Sequence, residues 1–227
     1  MCELFGYSAK EEQDFTAFPE TRLFFSHSVE HPDGWGIGWY TRKAALVKEA
    51  KGASESKLLE DVLSIHLVTS SLVVAHIRYA SIGEVSYKNT HPFLAERGVR
   101  QWFFAHNGTL ASDKLTGNLF FPKGTTDSEL AFYWLLHRIH EKDDEESSIV
   151  AKSAAFLQTI GKANFLLTDG NVLYAYADTK LHYLQRKGLV MVSTQPLNDC
   201  SWTRMKRGEL LVCRDGEIVE KREQKRK

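Results

Sequence analysis

The sequence predicts an α+β fold in which two mostly antiparallel sheets are covered by helices. Short β-branched and aromatic runs recur along the chain and read as strands. Asp169-Gly170 and Asp215-Gly216 each stand between two such runs, a hairpin signal that implies antiparallel pairing. Helical segments are interleaved with the strands, yet the hairpins exclude a simple doubly wound parallel sheet.

In chain order, strands are expected at 3–7, 36–40, 72–78 and 102–106. The second half adds 164–168, 172–177, 189–193, 210–213 and 217–220. A helix over 56–66 places Leu58, Leu59, Val62 and Ile65 on one side. A helix over 127–140 starts after Thr125-Thr126 and carries Leu130, Trp134 and Leu135. Asp127 and Glu129 in its first turn suit the positive end of the helix dipole. A third helix, 147–160, repeats Ile149, Phe156 and Ile160 and stops at Gly161. The acidic stretch 141–146 reads as a solvated loop. With no internal repeat, low-complexity linker or break in composition, 1–227 reads as a single domain.

Composition narrows the function classes. The 227 residues are 43% hydrophobic and 26% charged, with zero formal net charge. That balance calls for neither nucleic acid nor an anionic membrane as a partner. The basic run 221–227 reads as a solvated tail. No apolar run approaches the roughly 18 residues of a membrane span, and the N-terminus lacks the basic start and apolar stretch of a signal peptide. A cytoplasmic protein is expected. The three cysteines, Cys2, Cys200 and Cys213, form no CxxC pair, so neither a disulfide framework nor a thiolate zinc site is indicated.

Four local patterns carry chemistry. Removal of an initiator methionine would leave Cys2 with a thiol and a free α-amine on one Cα. The amine's reference pKa of about 7.7–8.0 lets it take the thiol's proton near neutral pH and later return one to a leaving amine. Met-Cys by itself fits an ordinary buried cysteine better. In Ala75-His76-Ile77-Arg78-Tyr79, strand alternation puts His76 and Arg78 on one face. An arginine at a strand end can grip a carboxylate bidentately, or make a surface ion pair. Phe104-Ala105-His106-Asn107-Gly108 runs an aromatic strand into Asn-Gly, which suits an oxyanion hole or a tight hairpin turn. Thr125-Thr126-Asp127-Ser128-Glu129 suits a helix cap, or an anchor for a substrate ammonium through Asp127.

Taken together, the set resembles the glutaminase domain of class II (N-terminal-nucleophile) glutamine amidotransferases, above all the stand-alone YafJ-type members. The matching pieces run in the family's order: Cys2-Glu3-Leu4-Phe5-Gly6, Asp33-Gly34-Trp35-Gly36, His76-Ile77-Arg78, Asn89-Thr90-His91-Pro92-Phe93, His106-Asn107-Gly108 and Thr126-Asp127-Ser128-Glu129. They span about the first 130 residues. The later Val192-Ser193-Thr194-Gln195-Pro196-Leu197 is similar but less specific.

The resemblance implies a four-layer αββα sandwich, the Ntn-hydrolase fold, with Cys2 starting a central strand. It implies Cys2 as nucleophile and its α-amine as base, with Asn107 and the Gly108 N–H as oxyanion hole. Arg78 would bind the glutamine α-carboxylate and Asp127 the α-ammonium, and Tyr79 and His76 complete the expected substrate-binding group. His76 and His106 are expected as hydrogen-bonded partners, not as acid or base. The implied activity is hydrolysis of the glutamine side-chain amide through a γ-glutamyl thioester, with ammonia released to an acceptor the sequence does not name. A separate synthase subunit is a candidate partner. No cofactor is expected.

Tyr79 and Ser81-Ile82 depart from the Trp and Thr-His that synthase-fused members often carry. Glu30-His31-Pro32 stands where that branch commonly has an arginine. The alternative substrate class is therefore a γ-glutamyl conjugate or peptide, with an amide side larger than NH2. A zinc reading of His76, His91 and His106, spaced by fifteen residues, finds no compact motif to support it, and no metal is expected. A non-catalytic partner subunit is a further alternative.

Overall fold

The computed structural model describes residues 2–116, 122–141 and 144–223. Met1, residues 142–143 of the acidic stretch and residues 224–227 of the basic run lie outside the described residues.

Two sheets form the centre. The first contains seven strands: β1 (Glu3–Asp14), β2 (Trp35–Tyr40), β3 (Ala44–Glu49), β4 (Thr69–Ile77), β9 (His182–Arg186), β10 (Leu189–Ser193) and β11 (Thr203–Arg204). The second contains β5 (Phe93–Arg97), β6 (Arg100–Asn107), β7 (Asn164–Thr168), β8 (Leu173–Ala177), β12 (Glu209–Arg214) and β13 (Glu217–Glu223). Their orders are β11-β9-β10-β1-β4-β2-β3 and β13-β12-β8-β7-β6-β5. Every strand pair is antiparallel. The helices are α1 (Pro19–Ser26), α2 (Lys57–Ser64), α3 (Asp127–Glu141) and α4 (Glu146–Thr159).

Side-chain alternation divides the core into three layers. Phe5, Tyr7, Val73 and Ala75 face outward from the first sheet and meet Phe24 and Phe25 of α1 and Leu59 and Val62 of α2. Leu4, Leu72, Val74, Val190 and Val192 face inward and meet Ala105, Leu166, Ala175 and Leu211 of the second sheet. Phe104, Phe165, Leu167 and Tyr176 face outward again, against Phe132 and Leu135 of α3 and Val150 and Leu157 of α4. The result is the αββα sandwich. Because both faces of each sheet are covered, β7, β8 and β10 are buried throughout, which is why they read as continuous apolar runs.

The expected strands all form, and both Asp-Gly hairpins close as expected. At the β12–β13 turn Asp215 and Gly216 have φ of 50° and 73°, the conformation of a two-residue hairpin turn. Four strands and one helix go beyond the expectation. β9 and β11 are short and largely polar, β3 opens on two alanines and ends on Lys48-Glu49, residue types depleted in strands, and β5 follows a proline. The missed helix, α1, carries Pro19 at its start, a signal that was present in the sequence. Among the described residues no helix is long and apolar enough to cross a membrane.

Candidate active site

Cys2 heads β1, the middle strand of the first sheet. Its half-buried thiol donates to the Tyr79 carbonyl at 3.3 Å and accepts the Tyr79 N–H at 3.4 Å. Tyr79 is held there from behind. Asp33 accepts the Ala80 N–H at 2.7 Å, and residues 33–34 exchange backbone hydrogen bonds with Arg78. The Asp33-Gly34 motif thus clasps the segment that cradles the thiol. Thr194 fixes the strand itself: its hydroxyl accepts the Leu4 N–H at 2.8 Å and its N–H reaches the Leu4 carbonyl. Burial pushes the Cys2 thiol above its ordinary pKa. The Tyr79 N–H and the Arg78 charge pull the other way without cancelling it.

Asn107 ends β6 in the second sheet, and Gly108 follows. The chain does not turn back there, because the next strand to pair with β6 in sequence, β7, comes only after α3 and α4. Asn-Gly therefore terminates a strand instead of making a hairpin. A Cβ at position 108 would lie 1.9 Å from the Lys162 carbonyl oxygen, so only glycine fits this approach. Cys2, Tyr79, Ser81, Asn107, Gly108 and Thr109 line one cavity of about 190 Å3. The Asn107 side-chain amide makes no hydrogen bond among the described residues, which leaves its donor available to a ligand.

Arg78 and Asp127 are not among the residues that line this cavity. The Arg78 guanidinium donates to the carbonyls of Ile82, Gly83 and Glu84 at 3.1, 3.3 and 3.0 Å, pinning the loop that carries Ser81. Asn89 ties the same loop to the start of α3: it donates to the Glu84 carbonyl and accepts the Thr125 N–H. Asp127 is buried, and its Oδ2 accepts the Leu110 N–H at 2.6 Å. Thr126 caps α3 by accepting the Glu129 N–H, so the cap and the candidate anchor occupy adjacent residues.

His76 is fully buried and lies outside the cavity. Its Nε2 approaches the His106 carbonyl at 3.2 Å and the Nδ1 of His91 at 3.0 Å. The carbonyl requires a proton on His76 Nε2, so His91 Nδ1 accepts. His106 sits between the Ser128 hydroxyl and the Lys162 carbonyl. Burial holds all three imidazoles neutral, His76 with a pKa of about 3. They join β4, β6 and the 89–93 segment and serve as neutral polar struts. Among the described residues no three metal-binding side chains converge.

Asn164 had no functional signal in the sequence beyond a strand start. It pairs with Asn107 across β6 and β7 and donates to the Asn107 carbonyl at 2.9 Å. Its Oδ1 accepts the N–H groups of Asp178, Thr179 and Lys180.

The αββα layering with a cysteine at the head of a central strand defines the Ntn-hydrolase class of fold. The comparisons with known proteins then give the family. Residues 1–188 match the model of the class II glutamine amidotransferases. Over 205 residues the chain is 38% identical to YafJ of Escherichia coli strain K12, itself assigned as a glutamine amidotransferase only by inference; the match covers 86% of this chain and 80% of YafJ. The crystal structure of a predicted glutamine amidotransferase from Pseudomonas aeruginosa PA01 is similar, with a TM-score of 0.71 and 27% identity, covering 96% of this chain and all of that one. Glutamine PRPP amidotransferase of B. subtilis shares the fold, with a TM-score of 0.74 and 22% identity over 98% of this chain and 49% of that one. The chain belongs to the class II glutamine amidotransferase family.

Proposed function

We propose that the protein is an N-terminal-cysteine amidohydrolase that cleaves the side-chain amide of glutamine through a Cys2 γ-glutamyl thioester. The observation that carries this reading is the meeting of Cys2, Asn107 and Gly108 around one cavity, with family membership supplying the glutamine-type substrate. The thiol's raised pKa means that it needs a base. Its only hydrogen-bond partners among the described residues are the backbone groups of Tyr79. Among the described residues no histidine or carboxylate bonds the thiol, so the α-amine created by removal of Met1 fills that role.

In the proposed sequence, Cys2 Sγ attacks the amide carbon while its proton passes to the α-amine. The Asn107 side chain and the Gly108 N–H receive the oxyanion. The α-amine returns the proton to the leaving nitrogen, ammonia departs, and water resolves the thioester to glutamate. Arg78 is assigned to the substrate carboxylate end and Asp127 to its ammonium. Both lie on the segments that frame the cavity, and Arg78 also orders the 82–84 loop. Ammonia would pass to a synthase subunit or to a free small acceptor. The test is release of equimolar glutamate and ammonia from glutamine by the processed protein. Turnover should vanish in Cys2→Ala; persistence of turnover in that variant would overturn the reading.

A further inference from the structure

The Cys2 cavity has one lysine on its wall, Lys162, and among the described residues no other lysine, arginine or carboxylate lines it. Lys162 lies outside the six motifs that carry the family resemblance. It is exposed, and its ammonium makes no hydrogen bond or ion pair among the described residues. No neighbouring carboxylate therefore neutralises this charge. The backbone beneath it is fixed by three contacts. The Lys162 N–H donates to the Thr109 carbonyl at 3.0 Å, the Lys162 carbonyl accepts from His106 Nε2 at 2.9 Å, and Gly161 pairs with Leu110. These contacts hold Lys162 against the 108–110 segment, which supplies Gly108 and Thr109 to the same wall.

Thr109 and Ser81 continue the wall, and their hydroxyls lie 3.3 Å apart. One hydroxyl proton is spent between them, and the other is free for an acceptor. Ser81 precedes the 82–84 carbonyls that Arg78 pins, so the pair joins that loop to the 108–110 segment. Arg78 itself is buried, and its guanidinium already donates to three carbonyls. Of the five N–H donors of a guanidinium, about two are then left, too few for the roughly four acceptor sites of a carboxylate.

We propose that Lys162 is a specificity-determining residue. Its ammonium and the Ser81–Thr109 hydroxyl pair form the solvent-side half of the clamp on the substrate α-carboxylate, and Arg78 forms the buried half. A lysine suits the open side, since a point charge on a flexible stem can follow a carboxylate as it enters. Arg78 sets the end point of that entry. The proposal rests on the Cys2 thioester reading above and adds a residue that selects its substrate.

The experiment compares glutamine with glutaminamide, in which the α-carboxylate is a neutral amide, and follows ammonia release by the processed protein. The wild-type protein should favour glutamine about tenfold or more in kcat/KM, the effect of a charge-assisted hydrogen bond. Lys162→Gln should remove most of that preference by raising KM for glutamine, with kcat and the glutaminamide constants held within about twofold. Lys162→Arg should restore the preference, which a lost structural contact would not predict. The side chain is exposed and the fixed contacts are made by backbone, so the substitution tests the charge and not the fold. A preference that survives in Lys162→Gln, or an equal loss on both substrates, would overturn the role of Lys162 and leave the Cys2 reading intact. Absence of ammonia release from either compound by the wild-type protein would overturn both.

Discussion

The proposed reaction gives Asn107 and Arg78 separable tasks. The Asn107 amide makes no hydrogen bond among the described residues and lines the Cys2 cavity, whereas the Arg78 guanidinium already holds three carbonyls of the 82–84 loop. Asn107→Ala should therefore lower kcat by about 10²-fold or more, because the lost donor acts on the developing oxyanion. Arg78→Ala should act chiefly on KM, through the lost carboxylate partner and the loosened loop. Arg78→Lys should not rescue it, since a point-like ammonium cannot reproduce the planar fork. Steady-state kinetics separates these outcomes; equal and small effects of both substitutions would contradict the assigned roles. At this scale the sequence was informative. Cys2, Arg78, Asn107 and Asp127 were all named from motif and order, and the structure places Cys2, Tyr79, Asn107 and Gly108 around one cavity. The distinction between lining a cavity and bracing it was not legible, because alternation along a strand gives a face but not a depth. His76 shares its face with Arg78 yet is sealed beneath His91.

Among the elements, the end of β7 holds Asn107, the residue proposed to receive the oxyanion. Asn164 bonds the Asn107 carbonyl and gathers three successive N–H groups of the 178–180 turn. Asn164→Ala leaves those buried groups unpaired, at about 1–3 kcal/mol for an orphaned buried polar group. It should lower kcat by about ten- to a hundredfold, since a small misplacement of a catalytic donor is costly. Thermal unfolding and kinetics should both register the change; a variant that loses stability but keeps full turnover would contradict the link. Nothing in the sequence marked Asn164, because its partners lie 14–57 positions away. The elements that could be read ahead were those with strong local grammar: apolar runs buried on both faces, the two Asp-Gly turns and the Thr126 cap. β11 escaped because it is a two-residue polar edge strand, and β9 because three of its five residues, His182, Gln185 and Arg186, are polar.

Across the molecule, three buried imidazoles join the two sheets near the active site. Unfolded histidines titrate near 6.5, whereas folded His76 stays neutral down to about pH 3, and His91 and His106 are also depressed. The unfolded chain therefore binds more protons, and stability falls as the pH is lowered below about 6.5. The slope approaches about 1.4 kcal/mol per pH unit for each histidine. Between pH 7 and 5, where ordinary carboxylates remain largely charged, the melting temperature should drop steadily; a flat profile would contradict the neutral struts.

The proposed reaction requires Cys2 to be the first residue of the processed protein. The most direct measurement is intact mass before and after incubation with a glutamine-like electrophile such as diazo-oxo-norleucine, with peptide mapping. Loss of Met1 and a single adduct on Cys2 is the expected result. A processed chain that acquires no adduct at Cys2, or one modified elsewhere, would contradict the N-terminal nucleophile.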